Sequence, residues 1–234
     1  QAEKLSSIGL LASGVAHEIN NPLAGIKACF KAVESKSIAP RKRNEYFSTI
    51  DEALGRIEQT VRGLLDYARE SEPNREACDV ADLIQAAIHL VEPTFKAKNQ
   101  SIETNFVAGE LSLFAQRNRV LQALVNVLLN AGYASAPGAS IRFYPRHKTT
   151  MLGIAVEDEG CGMEPHIVDK IFDPFYTSKP QGEGTGLGMA VTLGTIRSHG
   201  GEVEVETEKG SGTTITLWLP SKNGEKDEPQ DTLS

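Results

Sequence analysis

Two periodicities divide this chain. From about Leu5 to Val33, apolar residues recur at steps of three or four: Ile8, Leu11, Val15, Ile19, Leu23, Ile26, Phe30 and Val33. That spacing lines one face of an α-helix. Phe47, Ile50, Leu54, Ile57, Val61, Leu64 and Ala68 then alternate steps of three and four, as in a coiled-coil seam. Between them, Ser35 to Asn44 carries Pro40 and the charged run Arg41-Lys42-Arg43, which predicts a loop. Two helices and a short loop make an antiparallel hairpin. A lone hairpin cannot bury both stripes, whereas two copies form a four-helix bundle, so the pattern predicts a homodimer through the hairpin.

After Ala68 the pattern changes. Arg69 to Glu76, with Pro73, reads as a polar linker. Asp79 is placed to cap a helix running to about Val91. Ser101 to Val107 and Leu111 to Ala115 read as short strands, and Asn118 to Ala134 as a strong helix. Met151 to Asp158 alternates as a strand, with Leu152, Ile154, Val156 and Asp158 on the inward face. A helix over Met189 to His199 is closed by Gly200-Gly201. Glu202 to Thr207 forms a hairpin strand, Lys209 to Gly212 the turn, and Thr213, Ile215, Leu217 and Leu219 face inward, with Thr213 near Asp158. The expected domains are a helical hairpin over 1–70, a linker over 71–77, an α/β domain over 78–220, and a polar, disordered tail over 221–234.

Composition narrows the class. At 234 residues, 40% hydrophobic and 24% charged, the chain is too apolar for general disorder. No apolar run approaches the ~20 residues of a membrane span, so no membrane contact is expected from this stretch. Ser6, Ser7, Gly9, Ser13 and His17 interrupt the first apolar stretch, so no signal peptide is read. A net charge of −7 argues against nucleic acid as a partner. Cys29, Cys78 and Cys161 form neither a CxxC pair nor an even disulfide set, which fits a reducing, cytoplasmic setting. The abrupt start suggests an excerpt from a longer parent, which could itself be membrane-anchored. Of the 21 glycines, 12 fall between Gly153 and Gly212, as in a backbone that wraps a ligand.

Four segments carry candidate chemistry. In His17-Glu18-Ile19-Asn20-Asn21-Pro22, a proline interrupts a good helix at about 3 kcal/mol. His17 and Asn21 share a face, and Glu18 can reach an imidazole N–H or an incoming group. The bland alternative is a surface histidine beside a harmless kink. Asn126, Asn130 and Tyr133 share a stripe of the Asn118 to Ala134 helix. The amide carbonyls of Asn126 and Asn130 suit Mg²⁺ and their amide N–H groups suit phosphate, unless they merely cap or bridge nearby backbone. Asp158 faces inward ahead of Gly160 and Gly162, and an adenine amino group is a donor of suitable size for it. Lys179 precedes Gly182-Glu183-Gly184-Thr185-Gly186-Leu187-Gly188, where glycines open a helix and so present an anion site in a lid-like segment. Neither a Walker A loop nor a Rossmann fingerprint is present. Phe172 and Phe175 are expected to anchor the preceding loop on the core.

In this order the segments resemble the transmitter core of sensor histidine kinases, over about Leu5 to Pro220. His17 to Pro22 is similar to the H box in its nitrogen-regulator-type form, and Asn126 to Ala134 to the N box. Asp158 to Gly162 resembles the G1 box, Phe172 to Phe175 the F box, Gly184 to Gly188 the G2 box, and Gly210 to Thr213 the last glycine box. The resemblance implies a dimeric four-helix bundle followed by an α/β two-layer sandwich of the Bergerat type, using ATP and Mg²⁺. It implies that His17 accepts the γ-phosphoryl group and passes it to a response-regulator receiver domain. Glu18 would be the general base, and Asn21 would orient water for phosphatase action. Asn130 would ligate Mg²⁺ with Asn126 beside it, and Asp158 would read adenine. Gly160, Gly162, Lys179, Gly184, Thr185, Gly186, Leu187, Gly188 and Thr213 would complete the nucleotide site. Tyr133, Gly132 and Gln116 depart from the family pattern, and Gly132 is expected to loosen its helix end while Gln116 changes the cap. The rival readings are an ATPase of the same superfamily and a degenerate dimeric scaffold, both without histidine transfer.

Overall fold

The structure is a computed structural model, and it describes residues 19–34, 39–68, 75–180 and 184–221. The chain divides into two units: Gln1–Arg69 with Asp173–Leu187, and Glu70–Phe172 with Gly188–Ser234. The expected boundaries differ from this division. The loop from Asp173 to Leu187 groups with the helical unit, and strand β1 already begins at Glu76, inside the expected linker.

In the first unit, residues 19–34 form α1 and Pro40–Ala68 form α2. Pro22 lies within α1 without ending it. The expected loop to Asn44 is shorter than predicted, because Pro40 opens α2. Proline is tolerated in a first turn, where its missing N–H would have no intrahelical partner, and the N–H of Arg43 reaches the Ala39 carbonyl at 3.1 Å. Ile26, Cys29 and Ile50 are buried, with Tyr46, Ala53 and Ile57 packed around them. Leu23, Phe30, Phe47, Leu54 and Val61 stay exposed, Phe47 at 48% and Leu54 at 51%. The hairpin therefore buries part of each helix's stripe and leaves the rest facing outward. Seam positions Leu64 and Ala68 fall outside the described side chains.

The second unit is an α/β two-layer sandwich. Its five-stranded sheet has the order β2-β4-β5-β7-β6, formed by Ser101–Thr104, Ser140–Lys148, Met151–Asp158, Gly212–Pro220 and Glu202–Glu208. Only β2–β4 is parallel. A separate antiparallel pair joins β1 (Glu76–Asp79) to β3 (Ser112–Ala115). Alternate residues of the sheet, Ile141, Phe143, Leu152, Ile154, Val156, Ile215, Leu217 and Leu219, meet the apolar faces of α3 (Val80–Ala97), α4 (Arg117–Ala134) and α6 (Gly188–Ser198) in one core. A four-residue helix, α5, spans Pro165–Val168.

Local chemistry explains most boundaries. Asp79 caps α3, its Oδ1 accepting from the Asp82 N–H at 3.1 Å. The helix runs through Pro93 to Ala97, past the expected end at Val91, and so delivers Phe95 to the core. Asn99, at φ 53°, takes the left-handed position after it. Strand β4 has no counterpart in the sequence reading. Its Pro145 is tolerated because the β2 side is open there. Phe143 accepts from Asn105 on that side, and two residues later β2 has ended. On the outer face, Trp218 lies over Gly153, where a Cβ would come within 2.8 Å of its ring. Its Nε1–H donates to Glu204 at 2.6 Å, and Lys148 stands 4.2 Å above the ring.

Candidate functional site

Asp158 ends β5 and is buried. Its Oδ1 accepts from the Gly160 N–H at 2.8 Å and the Thr213 N–H at 3.2 Å. No donor among the described residues reaches Oδ2. Burial pushes its carboxyl up from the usual range, the two backbone donors pull it down, and neighbouring Glu157 adds a smaller upward push. A carboxylate held this way gains most from a further donor on its open oxygen.

The turn that follows is built by close approach. Gly162 has φ +61°, and a Cβ there would lie 1.9 Å from the Glu208 carbonyl oxygen. Gly212, at φ +93°, faces the Asp158 carbonyl oxygen, which a Cβ would meet at 2.1 Å. The Gly210 N–H donates to the Cys161 carbonyl at 2.7 Å, and the Cys161 N–H to Ala134 at 3.3 Å. Side chains at these glycines would force the turn away from the carboxylate.

Thr213 enters through its backbone, while its hydroxyl turns elsewhere. Thr207, read from the sequence only as the end of a hairpin strand, accepts the Met163 N–H and donates to the Gly212 carbonyl, both at 3.0 Å. With that hydrogen used, the Thr213 hydroxyl, 3.0 Å away, donates to Thr207. The cross-strand pairing of Thr207 with Thr213 was the available signal.

The asparagines divide. Asn126 Nδ2 donates to the Gly188 carbonyl at 3.0 Å and to Thr192 Oγ1 at 3.4 Å, while its Oδ1 accepts from Gln122 Nε2 at 3.1 Å. Its amide thus ties α4 to the first turn of α6. Asn130 lies one turn further along α4 and is half-buried, and Tyr133 is exposed with Lys98 5.5 Å from its ring centre. The expected loosening at Gly132 is not found. A Cβ there would lie 2.7 Å from the Phe95 ring, so glycine lets α3 and α4 pack closely. Gln100 Nε2 donates to the carbonyls of Gly132, Ser135 and Ala136 at 2.9, 3.1 and 3.2 Å, and Lys98 adds a bond to Gly132 at 3.1 Å. These donors close the helix end.

The glycine-rich loop is bonded within itself. The Phe175 N–H reaches the Gly186 carbonyl at 3.1 Å, with both residues in left-handed conformations. Phe175 therefore braces the loop, while Phe172 packs on the core. Lys179 shares the loop with Thr177, whose hydroxyl accepts the Lys179 N–H at 3.1 Å, and Gly184 leaves room for the lysine stem. The Thr185 hydroxyl accepts the Leu187 N–H at 3.4 Å, and Leu187 is buried. Part of the lid expected here, residues 181–183, lies outside the described residues. So do His17 and Glu18, whereas Asn21 is described and exposed on α1.

Residues 7–73 match the His Kinase A (phospho-acceptor) domain, and residues 115–223 match the histidine kinase-, DNA gyrase B- and HSP90-like ATPase. The chain belongs to the histidine kinase family. It carries that family's transmitter core, a helical phosphoacceptor-type region followed by an ATPase-type sandwich. The sensor histidine kinase ZraS of Escherichia coli is 34% identical over 227 residues, covering 96% of this chain and 48% of that protein. The signal transduction histidine-protein kinase AtoS of the same organism is 32% identical over 225 residues, 94% of this chain and 36% of that one. The chain thus spans about half the length, or less, of these relatives. Among solved structures, histidine kinase ThkA in complex with response regulator protein TrrA superposes with a TM-score of 0.79 at 25% identity. That match covers 96% of this chain and 65% of ThkA. Among the described residues no helix is long and apolar enough to cross a membrane, and no group of three or more His, Cys, Asp or Glu is placed to hold a metal.

Proposed function

We propose that this chain binds ATP, transfers its γ-phosphoryl group to His17, and passes that group to an aspartate of a response-regulator receiver domain. The observation that carries the reading is Asp158. Its buried carboxylate has one oxygen saturated by glycine-turn and strand N–H groups and one open to an added donor. The exocyclic amino group of adenine is such a donor. The same chain carries His17 and Glu18 in a phosphoacceptor-type region.

An imidazole nitrogen of His17 attacks the γ-phosphorus as the bond to the ADP oxygen breaks, and Glu18 takes the ring proton. Positioning and charge neutralisation dominate such a transfer. Gly160 and Gly162 shape the adenine end. Thr213 orients Asp158 through its N–H, and Gly184, Thr185, Gly186, Leu187, Gly188 and Lys179 serve the phosphates. Asn126 acts through α6, which it fastens to α4, while Tyr133 lies at the pocket edge. Mg²⁺, when bound, neutralises phosphate charge. The Asn130 side-chain carbonyl would suit it as a hard ligand. Asn21, exposed on α1, is suited to orient water against a phosphorylated receiver. The exposed stripe of Phe30, Phe47 and Leu54 supports a homodimeric four-helix bundle, and the ThkA–TrrA assembly supports a receiver as partner. The free cysteines agree with a cytoplasmic setting for this region. The part of the expected linker ahead of β1 would serve as the hinge, and its residues 71–74 lie outside the described residues.

The test is incubation with γ-labelled ATP and Mg²⁺, comparing the chain with His17→Ala. Acid-labile, base-stable label on the unmodified chain alone is the expected result. Hydrolysis of ATP without label on either protein would overturn the reading in favour of an ATPase.

A further inference from the structure

His199, the residue after α6, is buried and was not singled out by any motif. Three elements meet at it. Its Nδ1 lies 2.7 Å from the Thr195 carbonyl and therefore carries the proton. Its Nε2 is then the acceptor, and it receives the Gln116 N–H, at the start of α4, at 2.9 Å. One residue earlier, the Ser198 carbonyl accepts from the Arg75 guanidinium at 2.7 Å. Arg75 is the first described residue after the interdomain segment and leads straight into β1.

The opposite ends of the same helices carry the proposed nucleotide residues. Asn126 of α4 holds Gly188 at the start of α6, and Asn130 lies one turn beyond. The helix α6 is thus clamped twice onto α4, at its start by Asn126 and at its end by His199. A rigid helix shifts as a body, so a change at one clamp moves the other.

The geometry points to His199 as a positioning residue: a proton-sensitive joint that sets α6 against α4 and ties both to the exit of the interdomain segment. Only the neutral ring with hydrogen on Nδ1 completes it. A second proton, on Nε2, would set a donor against the Gln116 N–H and break the α4–α6 clamp. The charged groups facing the ring are Arg75, ahead of β1, and Arg119 of α4. Burial pushes the imidazole down from its ordinary value, both arginines push the same way, and the Thr195 carbonyl pulls upward. The neutral ring therefore keeps the joint closed through neutral pH, and the joint opens only as pH falls through a value depressed below that of an ordinary imidazole.

This inference rests on the pocket around Asp158 being a nucleotide site, and the experiment separates the two. ADP affinity is measured by calorimetry from pH 7.5 to 5.5 on the unmodified chain, His199→Gln and Arg75→Ala, with the His199 ring followed by NMR. Glutamine keeps an acceptor near the place of Nε2 and does not titrate. The unmodified chain should lose affinity about fivefold once the ring is protonated, as for one hydrogen bond. His199→Gln should match it at pH 7.5 and lose this component at acid pH. Arg75→Ala should move the ring titration to higher pH, and the affinity loss with it. An identical acid loss in His199→Gln, or no movement of the affinity curve with the ring titration in Arg75→Ala, would overturn the joint. Absence of ADP binding at every pH would overturn the nucleotide site instead.

Discussion

The two units satisfy their apolar residues differently. The α/β body closes a core in which Phe143, Leu83, Leu124, Ile154, Ile196 and Leu217 are all fully buried. The helical unit buries Ile26, Cys29 and Ile50 and leaves Phe30, Phe47 and Leu54 about half exposed. One unit finishes its own fold, and the other presents a stripe that only further protein can cover. Such a division would suit the proposed function, in which one unit offers an acceptor and the other binds the nucleotide.

The sharpest test of this contrast is the double change Phe47→Asp and Leu54→Asp. Placing carboxylates on the exposed stripe should weaken self-association by about a hundredfold or more, read by analytical ultracentrifugation. Nucleotide affinity of the body should not change. Oligomerisation unaffected by both substitutions would mean that the stripe is not the dimer seam.

The reciprocal change is Asp158→Ala. Losing a hydrogen bond to a charged group should weaken ADP binding by roughly ten- to a hundredfold while leaving the oligomeric state intact. A pH series sharpens the assignment. The folded carboxyl titrates above its unfolded value, so the free body takes up a proton in that interval and is favoured as pH falls through it. Bound adenine favours the charged form, so ADP affinity should fall as the medium is acidified through the raised value. Asp158→Asn should abolish that component, and its persistence in the asparagine variant would assign the titration to another group.

Smaller effects test how finely the body is packed. Gly132→Ala places a Cβ against the Phe95 ring and should destabilise the body by about 1–3 kcal/mol in denaturant unfolding. The smallest change is Lys148→Ala. It uncovers Trp218, the sole tryptophan, so its fluorescence should shift to the red with little loss of stability.

Much of this was legible along the chain. Leu152, Ile154 and Val156 alternate cleanly, and their parity carried Asp158 inward as the structure has it. The Asp79 cap and the Gly200-Gly201 stop rest on side-chain and backbone rules spanning a few residues. Strand β4 was hidden because only Ile141 and Phe143 face the core, and its second half is a charged edge around Pro145. Gly132 reads as a defect until the Phe95 ring is placed against it. The helix through Pro93 ran on because burying Phe95 outweighed the missing bond.

The sequence by itself determined the helical stripes, the inward carboxylate and the positions where the backbone must turn through glycine. Each follows from a period of two or of about 3.6 residues, or from the φ of a single residue. Tertiary structure decided how the groups meet. Thr213 was expected near Asp158, but the sheet order β5-β7-β6 decided that its backbone N–H reaches the carboxylate, and it brings Gly212 to Asp158 and Thr207 to Met163. It is also the packing of α6 on α4 that sets His199 against Gln116, across 83 positions of chain. No local period encodes such a contact, because it exists only once the core has fixed both helices on the same face of the sheet.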